Sequence, residues 1–147
     1  MPKKVLIIDR QPDRQETIPN LTQYGFHTYV TRSKQKYINV VQDIKPDVII
    51  IYSPQPDKEN GALYQNIRRI SQAPILVISV VTKPGIVENV LDQGADEYLI
   101  KPVSLKILAA RLRALARRSH NGHVYENSAA GTGELINYTP AQTTAKT

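Results

Sequence analysis

Cysteine is absent from the chain, which excludes disulfides and thiolate-held metals and fits a reducing, cytoplasmic setting. Long apolar runs are absent too. None approaches the ~20 residues a membrane helix needs, so no membrane partner is expected. The opening MPKKVLIIDRQ has a basic pair but only a strand-length apolar run, unlike a signal peptide. No glycine-rich loop follows that run, which argues against a dinucleotide site, and no internal repeat is found. Acids are in short supply: 13 Asp and Glu stand against 19 Lys and Arg, a net charge of +6. Such a balance favours a polyanionic partner but says nothing of the fold. Much of the excess sits between Lys101 and Arg118, which holds six basic residues and no acid. That stretch reads either as a solvated helix face or as one turned to a partner.

What is present is a regular alternation. The chain of 147 residues is long enough for one domain and a short appendage. Strand-like runs recur as KVLIID (4–9), HTYVT (27–31), DVIIIY (47–52), PILVISV (74–80) and DEYLI (96–100). Val48 to Ile51 are four consecutive β-branched residues, the pattern of a strand buried on both faces. Helical stretches lie between the strands. ENVLDQGA stops at Gly94, and SLKILAARLRALARR opens on Ser104 as N-cap with Leu108, Leu112 and Leu115 on one face. Five strand–helix alternations predict an α/β fold, a parallel sheet with helices on both faces. Beyond Arg118 the composition turns to Ser, Asn, Gly and Ala without apolar periodicity. The expected organisation is a domain over 1–119, a linker over 120–133 and a short final segment over 134–147.

In open α/β sheets the chemistry lies past the carboxyl ends of the strands. There this chain places Asp9 and Arg10, then Tyr52, Ser79 and the pair Lys101–Pro102. A carboxylate, a hydroxyl and a lysine converging there suit the handling of a phosphoryl group, which a lysine holds as a point charge.

On these residues the chain resembles the receiver domains of bacterial response regulators over about residues 3–118. VLIIDRQPD is similar to the first strand and its acidic turn, KPDVIIIYSPQP to the third strand and its loop, and APILVISV carries the hydroxyl of strand four. GADEYLIKPVSLKILAARLRALARR resembles the winged-helix (OmpR/PhoB-type) branch. The resemblance implies a flavodoxin-like (CheY-like) doubly wound sheet of five parallel strands in the order 2-1-3-4-5. It also implies phosphate contacts at Ser79 and Lys101, a switch aromatic at Tyr98, and often a cis bond before Pro102.

The departures matter as much. Where the family has an aspartate that accepts phosphate from a histidine kinase, this chain has Tyr52. Of the paired acids that hold Mg²⁺ only Asp9 remains, and Arg10 takes the second position. A phenol with a pKa near 10 is a poor nucleophile at neutral pH, and magnesium is bound weakly by one carboxylate. No resident metal or other cofactor is expected, with Mg²⁺ weak or absent, and no enzymatic activity. Arg10 is expected to pair with Asp9 in the former metal position. Tyr52 would fill the nucleophile's space, or sit as a half-buried aromatic with its hydroxyl in water. Asp57 and Glu59 stand as other acceptors, and Ser79 and Lys101 either as local hydrogen-bonding groups or as an anion site.

The family's winged-helix branch dimerises through its fourth helix, fifth strand and fifth helix. The matching residues are Val87, Asp92, Asp96, Glu97, Ile107, Arg111, Arg113 and Arg118, with Glu97–Arg111 and Asp96–Arg113 as the implied charge pairs. Val87 and Ile107 replace one family pair by apolar residues. Ile107 therefore reads as a dimer seam or as a cap on its own core. GELINYTPAQTTAKT resembles the opening strand of a winged-helix domain, either as part of a longer DNA-binding regulator or as a vestige. The expectation is a receiver that regulates transcription as a dimer without phosphoryl transfer. The alternatives are a docking module for a histidine kinase or another protein, and a conventional phosphorelay receiver with a non-standard acceptor.

Overall fold

The computed structural model describes residues 2–11, 18–56 and 61–129, the side chains of Gly61 and of 119–129 excepted. Five strands form one parallel sheet: β1 (Lys3–Asp9), β2 (Phe26–Thr31), β3 (Val48–Tyr52), β4 (Ile75–Ser79) and β5 (Glu97–Ile100). Their order is β2-β1-β3-β4-β5, the expected 2-1-3-4-5. The helices are α1 (Tyr37–Ile44), α2 (Gly61–Ile70), α3 (Ile86–Asp92) and α4 (Leu105–Ala129).

The strands sit where the apolar runs predict, within a residue or so at each end. All five residues of β3 are buried. Alternation sends Val48, Ile50 and Tyr52 to one face and Ile49 and Ile51 to the other. The first face is covered by Leu108, Leu112 and Leu115 of α4, with Ile18 and Leu21. The second is covered by α1, α2 and α3, where Tyr37, Val40, Val41 and Ile44 of α1 repeat at helical spacing. Full burial of one such side chain contributes about 1.5–3 kcal/mol.

Local signals behave as the residues dictate. Ser104 Oγ accepts the Ile107 N–H at 3.1 Å, the expected N-cap of α4. Gly94 has φ +132°, a conformation an L side chain rarely adopts, and ends the turn after α3. The Lys101–Pro102 bond is cis.

The first crossover, between β1 and β2, is described in part, with a 3-10 turn (Thr22–Tyr24), and residues 12–17 lie outside the described residues. Counted among the described elements, the fourth and fifth helices of the resemblance are α3 and α4 here. One expectation needs correction: α4 runs to Ala129, through the residues expected to begin a linker at 120. Gly122 is the weakest helix former in that stretch, and one such residue costs only about 1 kcal/mol. Residues 134–147 lie outside the described residues. Among the described residues no helix is long and apolar enough to cross a membrane.

Candidate functional site

Parallel register builds the site. Asp9 stands opposite Tyr52 across β1 and β3, and Ser79 opposite Ile100 across β4 and β5. The four strand ends thus deliver Asp9, Tyr52, Ser79 and Lys101 to one edge. The Arg10 N–H donates to the Tyr52 carbonyl at 2.9 Å, Ser53 N–H to Ile78 O at 3.1 Å and Lys101 N–H to Ser79 O at 2.9 Å. These bonds extend the ladder one residue past the strands and fix the spacing of the side chains.

Asp9 is 2% exposed. Its Oδ1 accepts the Gln11 N–H at 3.0 Å and Gln11 Nε2 at 3.5 Å. Its Oδ2 accepts Arg32 Nε at 3.2 Å. The expected Asp9–Arg10 pair is thus replaced by Asp9–Arg32. The cause is register: Ile8 aligns with Thr31, so the residue after β2 lies beside Asp9. Arg10 instead points its guanidinium over the Tyr37 ring, 5.8 Å from the centroid. Its Nε and Nη1 are buried and have no hydrogen-bond partner.

Tyr52 is 4% exposed, buried rather than half-solvated. It sits on the α4 side of the sheet, where alternation along β3 places it. Lys101 Nζ lies 5.5 Å from its ring centroid and donates to Gln11 Oε1 at 2.7 Å. Gln11, at the end of the first strand but assigned no role from the sequence, therefore links Lys101 to Asp9. Ser79 is buried, and its Oγ accepts the Val81 N–H at 3.2 Å. Tyr98, half-buried, donates its hydroxyl to Val81 O at 2.7 Å, so the loop after β4 is held from both sides. Asp57 and Glu59 lie outside the described residues.

This donor set does not suit a magnesium ion. Both oxygens of Asp9 are engaged, one of them by the Arg32 guanidinium. Among the described residues no three acidic or histidine side chains gather as metal ligands.

A second surface lies across α3, β5 and α4. A groove of about 490 Å³ there is lined by Val87, Leu91, Glu97, Tyr98, Ala114 and Arg118, among others. Glu97 pairs with Arg111 at 2.9 Å within the chain. Asp96 does not turn to Arg113. It accepts Arg68 Nη2 at 2.7 Å and the Ile75 N–H at 2.8 Å, while Arg113 lies over Tyr24 at 5.7 Å on the far side of α4. Asp92 and Arg118 are exposed. Ile107 is 51% exposed and joins neither core cluster, so it does not cap its own core.

A family model described as the response regulator receiver domain matches residues 5–113. Transcriptional regulatory protein AfsQ1 of Streptomyces coelicolor is 30% identical over 146 residues, covering 99% of this chain and 64% of that protein. Transcriptional regulatory protein KdpE of Mycobacterium tuberculosis is 31% identical over 116 residues, covering 78% of this chain and 51% of that protein. The chain spans about half to two thirds of the length of these relatives. Among solved structures, a two-component response regulator from Clostridium difficile superposes with a TM-score of 0.68 at 30% identity, over 79% of this chain and 97% of that one. The Francisella response regulator 1452 receiver domain gives 0.66 at 25% identity, over 80% and 98%.

Proposed function

Because the chain belongs to the response regulator receiver domain family, we propose that it is an atypical receiver, one that acts in transcription regulation by pairing with a second copy and not by accepting a phosphoryl group. The observation that carries this reading is the state of the strand-end pocket. Its one carboxylate among the described residues, Asp9, is spent on Gln11 and Arg32, and a buried phenol stands at its register partner. Tyr52 occupies the acceptor position and Arg10 the second acidic position. Neither supplies a nucleophile or a metal ligand at neutral pH. Ser79 and Lys101 remain as the hydroxyl and the cation of the pocket, and the domain carries out no catalysis of its own.

Pairing runs through the α3–β5–α4 face. Exposed ion pairs such as Glu97–Arg111 contribute only about 0–1 kcal/mol, so the apolar residues decide. Full burial of an Ile side chain contributes about 1.5–3 kcal/mol, and Ile107 has half of its surface left to bury. A two-fold axis counts that half twice. The sum is about 1.5–3 kcal/mol, or roughly ten- to a hundredfold in the dimer dissociation constant. In the complete protein a DNA-binding module would follow, positioned by the receiver pair.

Ile107→Lys places two like charges across that axis and is expected to give monomers in sedimentation equilibrium. An unchanged mass would overturn the interface. Arg113→Ala, on the opposite side of α4, is expected to leave the mass as it is.

A further inference from the structure

The basic stretch of α4 is only partly used by the pairing face. Leu108, Ala109, Leu112, Leu115 and Ala116 face the sheet. On the outer side, Arg111, Ala114 and Arg118 line the α3–β5–α4 groove. Lys106, Ala110, Arg113 and Arg117 recur at i, i+4, i+7 and i+11 and form a neighbouring row, all of them exposed. From Lys106 to Arg117 the row spans about 16 Å along the helix axis.

Its charge is unopposed. Lys106, Arg113 and Arg117 pair with no acid among the described residues. The layer they belong to, residues 18–24 with α4 up to Arg118, contains no acid at all. The opposite layer mixes its signs, with Asp43, Glu88 and Asp92 beside Arg68 and Arg69. Arg113 and Arg117, one turn apart, repel each other, a cost that a bound anion removes. Arg113 is also steadied, its guanidinium lying over the Tyr24 ring at 5.7 Å from the centroid, while Tyr24 packs against the core.

The make-up of the row selects the kind of anion. A helix that lies on a membrane needs apolar side chains beside its cations, and a protein partner needs an apolar or aromatic centre to its interface. Ala110 is the only apolar member of the row. A single-stranded nucleic acid needs rings on which bases stack, and the ring at hand, Tyr24, already carries Arg113. A straight line of cations, two of them guanidinium forks, suits a stiff and regular line of phosphates. We propose that the exposed row of Lys106, Arg113 and Arg117 on α4 binds the phosphate backbone of duplex DNA without sequence preference. The surface is separate from the strand-end pocket and does not depend on the pairing of two copies. Its contacts add to those of any DNA-reading module that follows.

The test is fluorescence anisotropy of a labelled random-sequence duplex of about 20 base pairs with the 147-residue chain, between about 50 and 200 mM NaCl. Binding is expected at the low end, with a log–log salt slope of about −2.7 for three phosphate contacts per chain. Arg113→Gln and Arg117→Gln should each weaken binding alike on every sequence and reduce the slope by about one. Arg69→Gln removes the same charge from an exposed site on the opposite layer and should leave the slope as it is. Arg113→Gln should keep the parent mass in sedimentation, which separates loss of DNA from loss of pairing. Equal effects of all three variants would show that net charge alone attracts the duplex, and would overturn the proposal. So would a duplex that stays free at the low end, or tighter binding of phosphatidylserine vesicles or single-stranded RNA.

Discussion

Placing a carboxylate at position 52 is expected to leave the pocket unable to hold magnesium. The reasoning is electrostatic. Among the described residues at this end of the sheet, Asp9 contributes one negative charge, and Arg10, Arg32 and Lys101 contribute three positive ones, a sum of +2. Tyr52→Asp brings it to +1. Adding Arg10→Asp brings it to −1, a sign a cation can accept. Two unit charges 4 Å apart interact by about 4 kcal/mol at an effective dielectric near 20. A dication doubles that figure, and solvent exposure of Arg32 reduces it. We take about 4 kcal/mol as the net cost of one guanidinium, near a thousandfold in affinity. The single variant should therefore show no saturable Mg²⁺ binding by calorimetry and no bound beryllofluoride by ¹⁹F NMR. The double variant should bind both, with affinity for Mg²⁺ about a thousandfold above the single. If Tyr52→Asp alone binds as well as the double variant, the two arginines do not control the site and the charge argument is wrong.

Two further predictions concern stability. Ser104→Ala removes the cap bond to Ile107 and should cost about 0.5–2 kcal/mol in urea unfolding; no change would mean that packing of α4 on the sheet hides the cap. Burial lowers the pKa of Lys4 from 10.5, with Asp47 opposing the shift and Lys45 adding to it. The folded state then binds fewer protons than the unfolded chain between the lowered value and 10.5. Stability from this group is complete above 10.5 and is lost as pH falls through the folded value. Relative to Lys4→Met, the parent chain should gain in urea midpoint as pH rises through that window; a constant difference would show that Lys4 is not perturbed.

The sheet was the most legible part of the molecule. Runs such as VIIIY leave a residue no conformation as favourable as a strand buried on both faces, and Gly94 and Ser104 mark their helix ends by backbone and side-chain chemistry that is purely local. The strand-end residues Asp9, Tyr52, Ser79 and Lys101 were also legible, because parallel strands of similar length must end together. What could not be read was which charges pair. Arg32 lies 23 positions from Asp9 and meets it only through the β1–β2 register. Asp96 meets Arg68 across 28 positions, and Gln11 meets Lys101 across 90. Long flexible side chains choose partners by geometry, which periodicity does not encode. Register would have found Arg32, since the residue after β2 is bound to lie beside Asp9 once Ile8 faces Thr31.

Sedimentation equilibrium of residues 1–147, with and without Mg²⁺ and beryllofluoride, tests the central claim most directly. A dimer whose dissociation constant ignores the additive is the predicted result. A monomer driven to dimer by the additive would contradict it, because a working acid site would then control the pairing.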